Sequence, residues 1–185
     1  MADNKMGFDT RSVHAGAAPD PATGARSVPI YQTSSFVFDD ADHAASLFNL
    51  QRPGFMYSRI ANPTVAVLEE RVASLENGIG ATATSSGHAA QILALFPLMS
   101  PGMEVVAANK LYGGSINQMR NSFKKFGWNA SFVDPVKPDN IDKALTDKTR
   151  VIFIESLANP GGIVVDLEAV VKIARRAGVP LVVDN

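Results

Sequence analysis

The chain contains no cysteine, which excludes disulfides, thiolate nucleophiles and cysteine metal ligands. Its histidines, His14, His43 and His88, are scattered without ligand spacing, so no metal site is expected. No apolar run approaches a bilayer span, and Met1 to Lys5 lacks the apolar core of an export signal. The expected location is therefore cytoplasmic, with no membrane partner. A formal net charge of −1 leaves no basic footprint for nucleic acid. Neither G-x-G-x-x-G nor G-x-x-x-x-G-K-[ST] occurs, which argues against a dinucleotide or nucleoside triphosphate. Internal repeats, low-complexity tracts and a Ser-His-Asp arrangement are also missing. What remains is a chain of 185 residues, 46% hydrophobic, which can bury a real core.

Residues 1–38 are rich in Pro, Gly, Ser and Thr without sustained periodicity, and read as an extended arm. Its apolar residues, among them Val28, Ile30, Tyr31, Phe36, Val37 and Phe38, are too many for a free tail. The arm lies either on another subunit or on its own domain. A short helix is expected over 40–50, ended by Pro53-Gly54. Asn62 suits an N-cap and Pro63 a first helical position. Val65, Leu68, Val72 and Leu75 then form an amphipathic stripe. A β-like run over 79–84 leads to a helix at 89–99, apolar on nearly every side.

Strand and helix signals alternate from there: strands over 103–108, 128–133, 151–155 and 180–184, helices over 113–126 and 139–145. Asp166 caps a further helix with Leu167, Val170, Val171 and Ala174 inward and Gly178 as its stop. Such alternation calls for an α/β fold with a mainly parallel sheet flanked by helices. The domain reading is an arm and short helix over 1–62, followed by the α/β domain over 63–185. The final strand reads as buried and delivers Asp184 at its carboxyl end, where ligand chemistry collects in open α/β sheets. The chain stops one residue later, so it is read as the front part of a longer enzyme.

Several segments can carry chemistry. Thr84-Ser85-Ser86-Gly87-His88, at a strand-to-helix junction, makes an anion cradle of free N–H groups, with phosphate as the natural guest. An ordinary Ser/Gly cap is the plainer reading. Tyr57 and Arg59, two apart on an extended segment, point the same way and together suit a phosphate. A surface arginine beside a half-buried tyrosine would look the same. Tyr112-Gly113-Gly114 could lay a ring over a planar ligand or merely close the core, and Lys110 is a loop lysine before it is a Schiff-base candidate. Glu155 to Gly162 ends a strand in a carboxylate and an amide, then turns.

The order YSRIANPT, SSGHAA, LYGG, ESLANPGG and VPLVVDN resembles the Cys/Met-metabolism family of pyridoxal-phosphate (PLP) enzymes, also called trans-sulfuration enzymes. TRSVHAG and VPIYQTSSF in the arm extend the resemblance over almost the whole chain, and FNLQRPGFMYSRIANPT is most similar to the O-acetylhomoserine sulfhydrylases. It implies a PLP-dependent transferase of fold type I, aspartate-aminotransferase-like, assembled as a homotetramer. It also implies γ-replacement on an O-acetylhomoserine substrate with sulfide or a thiol, yielding homocysteine or methionine. The neighbouring activities are cystathionine γ-synthase, cystathionine γ-lyase and methionine γ-lyase. From another class, a noncatalytic phosphate-binding α/β module would share the cradle alone. By the resemblance, Ser86, Gly87 and the His88 N–H hold the cofactor phosphate, and Tyr57 and Arg59 reach that of a neighbouring subunit. Tyr112 stacks on the ring and aids proton transfer, Asn159 lies near the phenolic oxygen, and Asp184 pairs with the ring nitrogen. His88 stands where many relatives carry methionine or glutamine. The lysine that joins the cofactor, the Ser/Thr phosphate ligands before it and the substrate-carboxylate arginine are expected beyond residue 185.

Overall fold

The computed structural model describes residues 6–185, in two compact units that divide between Ala83 and Thr84. The first unit carries α1 (Phe8–His14), α2 (Ala41–Phe48) and α3 (Pro63–Leu75). Helix α1 corrects the reading of a wholly extended arm. At seven residues it is too short to show a period, and it is held by tertiary contact. The Arg11 guanidinium donates to the Ser74 carbonyl and, at 3.0 Å, to Asn77 Oδ1. Gly16 follows at φ +72°, and a Cβ there would sit 2.8 Å from the Val67 carbonyl oxygen. Only glycine combines that φ with so close an approach.

Helix α3 starts as expected, with Asn62 Oδ1 accepting from the Thr64 N–H at 2.9 Å and Pro63 in the first turn. Its apolar stripe at Val65, Leu68 and Val72 is exposed among the described residues. The run over 79–84 is not a strand. A β-like composition needs a neighbouring strand to pair with, and among the described residues none lies beside it; the Ala83 N–H donates instead to Glu69 Oε1 at 2.7 Å.

The second unit contains β1 (Glu104–Ala108), β2 (Asn129–Val133), β3 (Thr149–Glu155) and β4 (Leu181–Asp184). They form one parallel sheet in the order β2-β1-β3-β4. Its helices are α4 (Gly87–Leu95), α5 (Gly113–Asn117), α6 (Phe123–Lys125), α7 (Pro138–Ala144) and α8 (Leu167–Ala177). Central strands of a parallel sheet are covered on both faces. Val105, Val106, Val151, Ile152, Phe153 and Ile154 are accordingly buried, with Leu95, Met119, Phe123, Ile141 and Val170 packed into the same core. Each such large side chain contributes about 1.5–3 kcal/mol relative to exposure. Trp128 closes one end, its ring 5.2 Å from Phe123 and 5.0 Å from Phe126 between centroids.

Four expectations are corrected here. Among the described residues strand β4 is not buried: it lies at the edge of their sheet, with Val183 and Asp184 exposed. The helix over 113–126 is interrupted by a π-helical turn, Gln118–Ser122, which brings Met119 and Phe123 into the core and leaves Phe126 half-exposed. Helix α4 is shorter than expected and one-sided, with Leu93 and Phe96 exposed. In α8, Val170 and Ala174 point inward as expected, joined by Ile173, while Leu167 is exposed.

Candidate active site

Parallel pairing puts every carboxyl end on one edge of the sheet, and the register places Glu155 beside Asp184 at the ends of β3 and β4. The loop leaving β1 brings Tyr112 to that same edge. Helix α4 begins there too, so Gly87, His88, Gln91, Tyr112, Ser115, Glu155, Asn159 and Asp184 line one cavity of ≈ 550 Å³. Sequence reasoning named Gly87, His88, Tyr112, Asn159 and Asp184; one site holds all of them.

The α4 N-terminus is capped by Ser86, whose hydroxyl accepts from the Ala89 N–H at 3.2 Å. Ser86 does not line the cavity; its side chain is engaged in the cap. The segment before it is a loop, not the strand expected at this junction. Among the described residues no protein group accepts from the N–H of Gly87 or His88, and a Cβ at Gly87 would meet nothing within 4 Å. That leaves open space in front of paired donors, backed by the positive end of the helix dipole.

Across the cavity, the Tyr112 ring lies 6.0 Å from the His88 ring, tilted by 39°. Gly114 lets them approach, since a Cβ there would sit 2.5 Å from Tyr112 Cε1. Glu155 is buried and holds two loops at once: Oε1 accepts from the Tyr112 N–H at 2.6 Å and Oε2 from the Asn159 N–H at 3.1 Å. Asp184 Oδ2 accepts from Gln91 Nε2 at 3.0 Å, and the same amide donates to Ser115 Oγ at 2.8 Å.

Tyr57 and Arg59 lie in the first unit, on a turn and not on the extended segment expected. The Ile60 N–H closes that turn onto the Tyr57 carbonyl at 2.9 Å. The two side chains still meet, because the Arg59 guanidinium carbon stacks 5.4 Å over the Tyr57 ring centroid.

Comparison with known proteins bears directly on this cavity. Residues 9–185 match the profile of the Cys/Met metabolism PLP-dependent enzymes. The chain belongs to that family. It is 50% identical over 177 residues to an O-acetyl-L-homoserine sulfhydrylase of Leptospira meyeri, covering 96% of this chain and 40% of the relative. It is 49% identical over 179 residues to a homocysteine/cysteine synthase of Kluyveromyces lactis, again covering 96% of this chain and 40% of that one. A solved structure assigned as an O-acetylhomoserine (thiol)-lyase of Campylobacter jejuni superposes with a TM-score of 0.93 at 37% identity, covering 97% of this chain and 44% of that chain. That protein carries N'-pyridoxyl-lysine-5'-monophosphate. The chain thus spans about 40% of the length of the curated relatives it matches. The fold is that of the type I PLP-dependent enzymes.

The cavity suits such a cofactor on its own terms. Free N–H groups before an open Gly87 face suit a phosphate, the Tyr112 ring suits a flat heterocycle, and Asp184 offers a carboxylate. Sequence reasoning missed Gln91 and Ser115 as site residues, and singled out Glu155 only as the carboxylate at a strand end, without a role in the site. Gln91 carried a signal: it is the one polar side chain from Ala89 to Leu95, four residues after Gly87 and so on its face of the helix. Glu155 carried one as well, an acid ending an apolar strand.

Proposed function

We propose that this chain contributes to PLP-dependent γ-replacement on O-acetyl-L-homoserine. Sulfide or a thiol takes the place of the acetate at Cγ, giving homocysteine or methionine. The 50% identity over 177 residues to a protein named for that activity carries the reading. The test is to supply the full-length protein with O-acetylhomoserine and sulfide, and separately with cystathionine or methionine alone. Homocysteine and acetate are the expected products of the first. Formation of 2-oxobutanoate from the second, or a requirement for cysteine as nucleophile, would move the assignment to a γ-lyase or to cystathionine γ-synthase.

When bound, pyridoxal phosphate supplies an electron-withdrawing ring that stabilises negative charge at the substrate α-carbon. The residues of this chain bind and orient it. The N–H groups of Gly87 and His88 hold the phosphate, with Ser86 fixing the helix start behind them. Tyr112 covers the ring and serves proton transfer through its hydroxyl. Asn159, which lines the same cavity, would sit by the phenolic oxygen. Asp184 holds the proton on the ring nitrogen, since a neighbouring carboxylate favours the charged pyridinium. Tyr57 and Arg59, already stacked as a pair, serve the phosphate of a neighbouring subunit within a homotetramer contacted through the 1–62 arm. The exposed Ile30 and Val37 of that arm support such association, and Val65, Leu68 and Val72 on α3 extend the apolar surface beyond it.

A further inference from the structure

Gln91 is the one cavity residue that is buried, uncharged and joined to both sides of the site. It stands on α4, four residues after Gly87, about 6 Å further along the helix and on the same face. Its amide nitrogen donates to Asp184 Oδ2 at 3.0 Å and to Ser115 Oγ at 2.8 Å. Only 8% of the residue is exposed. Its carbonyl oxygen has no hydrogen-bond partner among the described residues. A buried amide whose acceptor is left unmatched has lost its hydrogen bond to water without replacing it. Packing alone does not account for a glutamine at such a position, because an apolar side chain of the same length would carry no such penalty.

The compensating gain lies in Asp184. Pairing with β3 fixes the main chain of Asp184, where the Ser156 N–H donates to its carbonyl at 3.0 Å, but that pairing leaves the orientation of the carboxylate itself open. Gln91 is the described side chain that donates to it, and it engages Oδ2 alone. Among the described residues, no protein group donates to Oδ1. We propose that Gln91 is a positioning residue for Asp184. It anchors one carboxylate oxygen to α4 so that the other is presented to the nitrogen of the bound ring. Because the phosphate donors begin the same helix, Gln91 refers the acid to the phosphate end of the ligand. Ser115 links this anchor to α5, immediately after the loop that carries Tyr112.

This inference rests on the pyridoxal reading of the cavity, and the experiment separates the two. The full-length protein, loaded with pyridoxal phosphate labelled with nitrogen-15 in the ring, is compared by NMR as wild type, Gln91→Met, Asp184→Asn and the double variant. Cofactor dissociation constants are measured alongside by equilibrium dialysis. The wild-type ring nitrogen is expected at the protonated position, and Asp184→Asn should move it towards the unprotonated one. Gln91→Met should move it part of the way, lower turnover about tenfold through removal of one charge-assisted hydrogen bond, and change the dissociation constant less than threefold. The double variant should match Asp184→Asn alone. If Asp184→Asn leaves the ring nitrogen unchanged, the pyridoxal reading of Asp184 fails. If Asp184→Asn shifts it but Gln91→Met does not, or the two losses add, the positioning role is overturned. Gln91→Leu, branched but equally without a donor, is read by the same criteria should Gln91→Met fold poorly.

Discussion

A methyl group on Gly114 would fall 2.5 Å from Tyr112 Cε1 and 2.7 Å from His88 Cε1. Both atoms belong to rings that swing about two bonds, so relief comes from moving the rings and not from unfolding. Gly114→Ala should therefore shift the melting temperature of the full-length protein by no more than about 4 °C. Cofactor affinity should fall about tenfold, the upper range for removing one aromatic stacking interaction; undiminished affinity would show that the Tyr112 ring takes no part in binding. Glu155 makes the opposite case. Replacing it with Gln turns one acceptor oxygen into a donor facing a backbone N–H, at a site only 6% exposed. Glu155→Gln should cost about 1–3 kcal/mol in denaturant unfolding. Asp184→Asn differs from both. Asn keeps the size of the side chain and an oxygen that can still accept from Gln91 Nε2, so folding should be unaffected while turnover drops about a hundredfold or more with cofactor still bound. Near-normal turnover would remove the acid from the reaction.

Among the elements, the bounds of α8 were legible because its start and stop signals agree, although its inward face was read with Leu167 in place of Ile173. Asp166 Oδ1 accepts from the Ala169 N–H at 3.0 Å, and Gly178 takes φ +68° at the stop. Asp166→Ala should destabilise the full-length protein by about 1 kcal/mol, measured by thermal unfolding. The sheet was legible for a related reason, since β1 and β3 are buried on both faces and their apolar runs are unbroken. Three features escaped for want of a local cause. Helix α1 depends on Arg11 reaching Ser74 and Asn77, more than sixty positions away. The π-helical turn is a matter of register, invisible in composition. The edge position of β4 is decided by the order of strands. Of the site, Gly87, His88, Tyr112, Asn159 and Asp184 were expected together and line one cavity, while Ser86 caps the helix and Tyr57 and Arg59 belong to the first unit; Gln91 and Glu155 act on other residues and left only a weak local signal.

The loop after Asp20 shows how a small element responds to acid. The Thr23 hydroxyl and N–H, with smaller help from the Ala22 N–H and Tyr31, hold the Asp20 carboxyl below its ordinary value of 3.8. A carboxyl with a lowered folded value contributes fully above 3.8 and loses its contribution as pH falls through the folded value. Asp20→Asn mimics the protonated acid. Its deficit in melting temperature against wild type should be present at neutral pH and close as pH drops below 3.8; a gap independent of pH would count against the carboxylate.

For the whole molecule, the distribution of apolar surface matters more than its amount. In the first unit Ile30, Val37, Ile60, Val65, Leu68 and Val72 are all exposed, while the second unit buries a core around β1 and β3 and exposes Leu93, Phe96, Val136 and Val164. Full-length protein studied by light scattering is expected to be a tetramer, and Leu68→Glu on the α3 stripe should shift it to smaller species. A tetramer untouched by that charge would place the subunit interface elsewhere.

Helix α4 works as a measuring rod. Gly87 and Gln91 stand one turn apart on it, with His88 between them contributing only its main chain to the proposed anion grip. The side chains of Ala89 and Ala90 in that interval do not line the cavity. Adding or deleting a single residue is another matter, for it would rotate everything downstream by about 100° and slide it by about 1.5 Å. The amide would then miss its acid altogether, so relatives that share this chemistry should tolerate almost any spelling of the stretch but only one length.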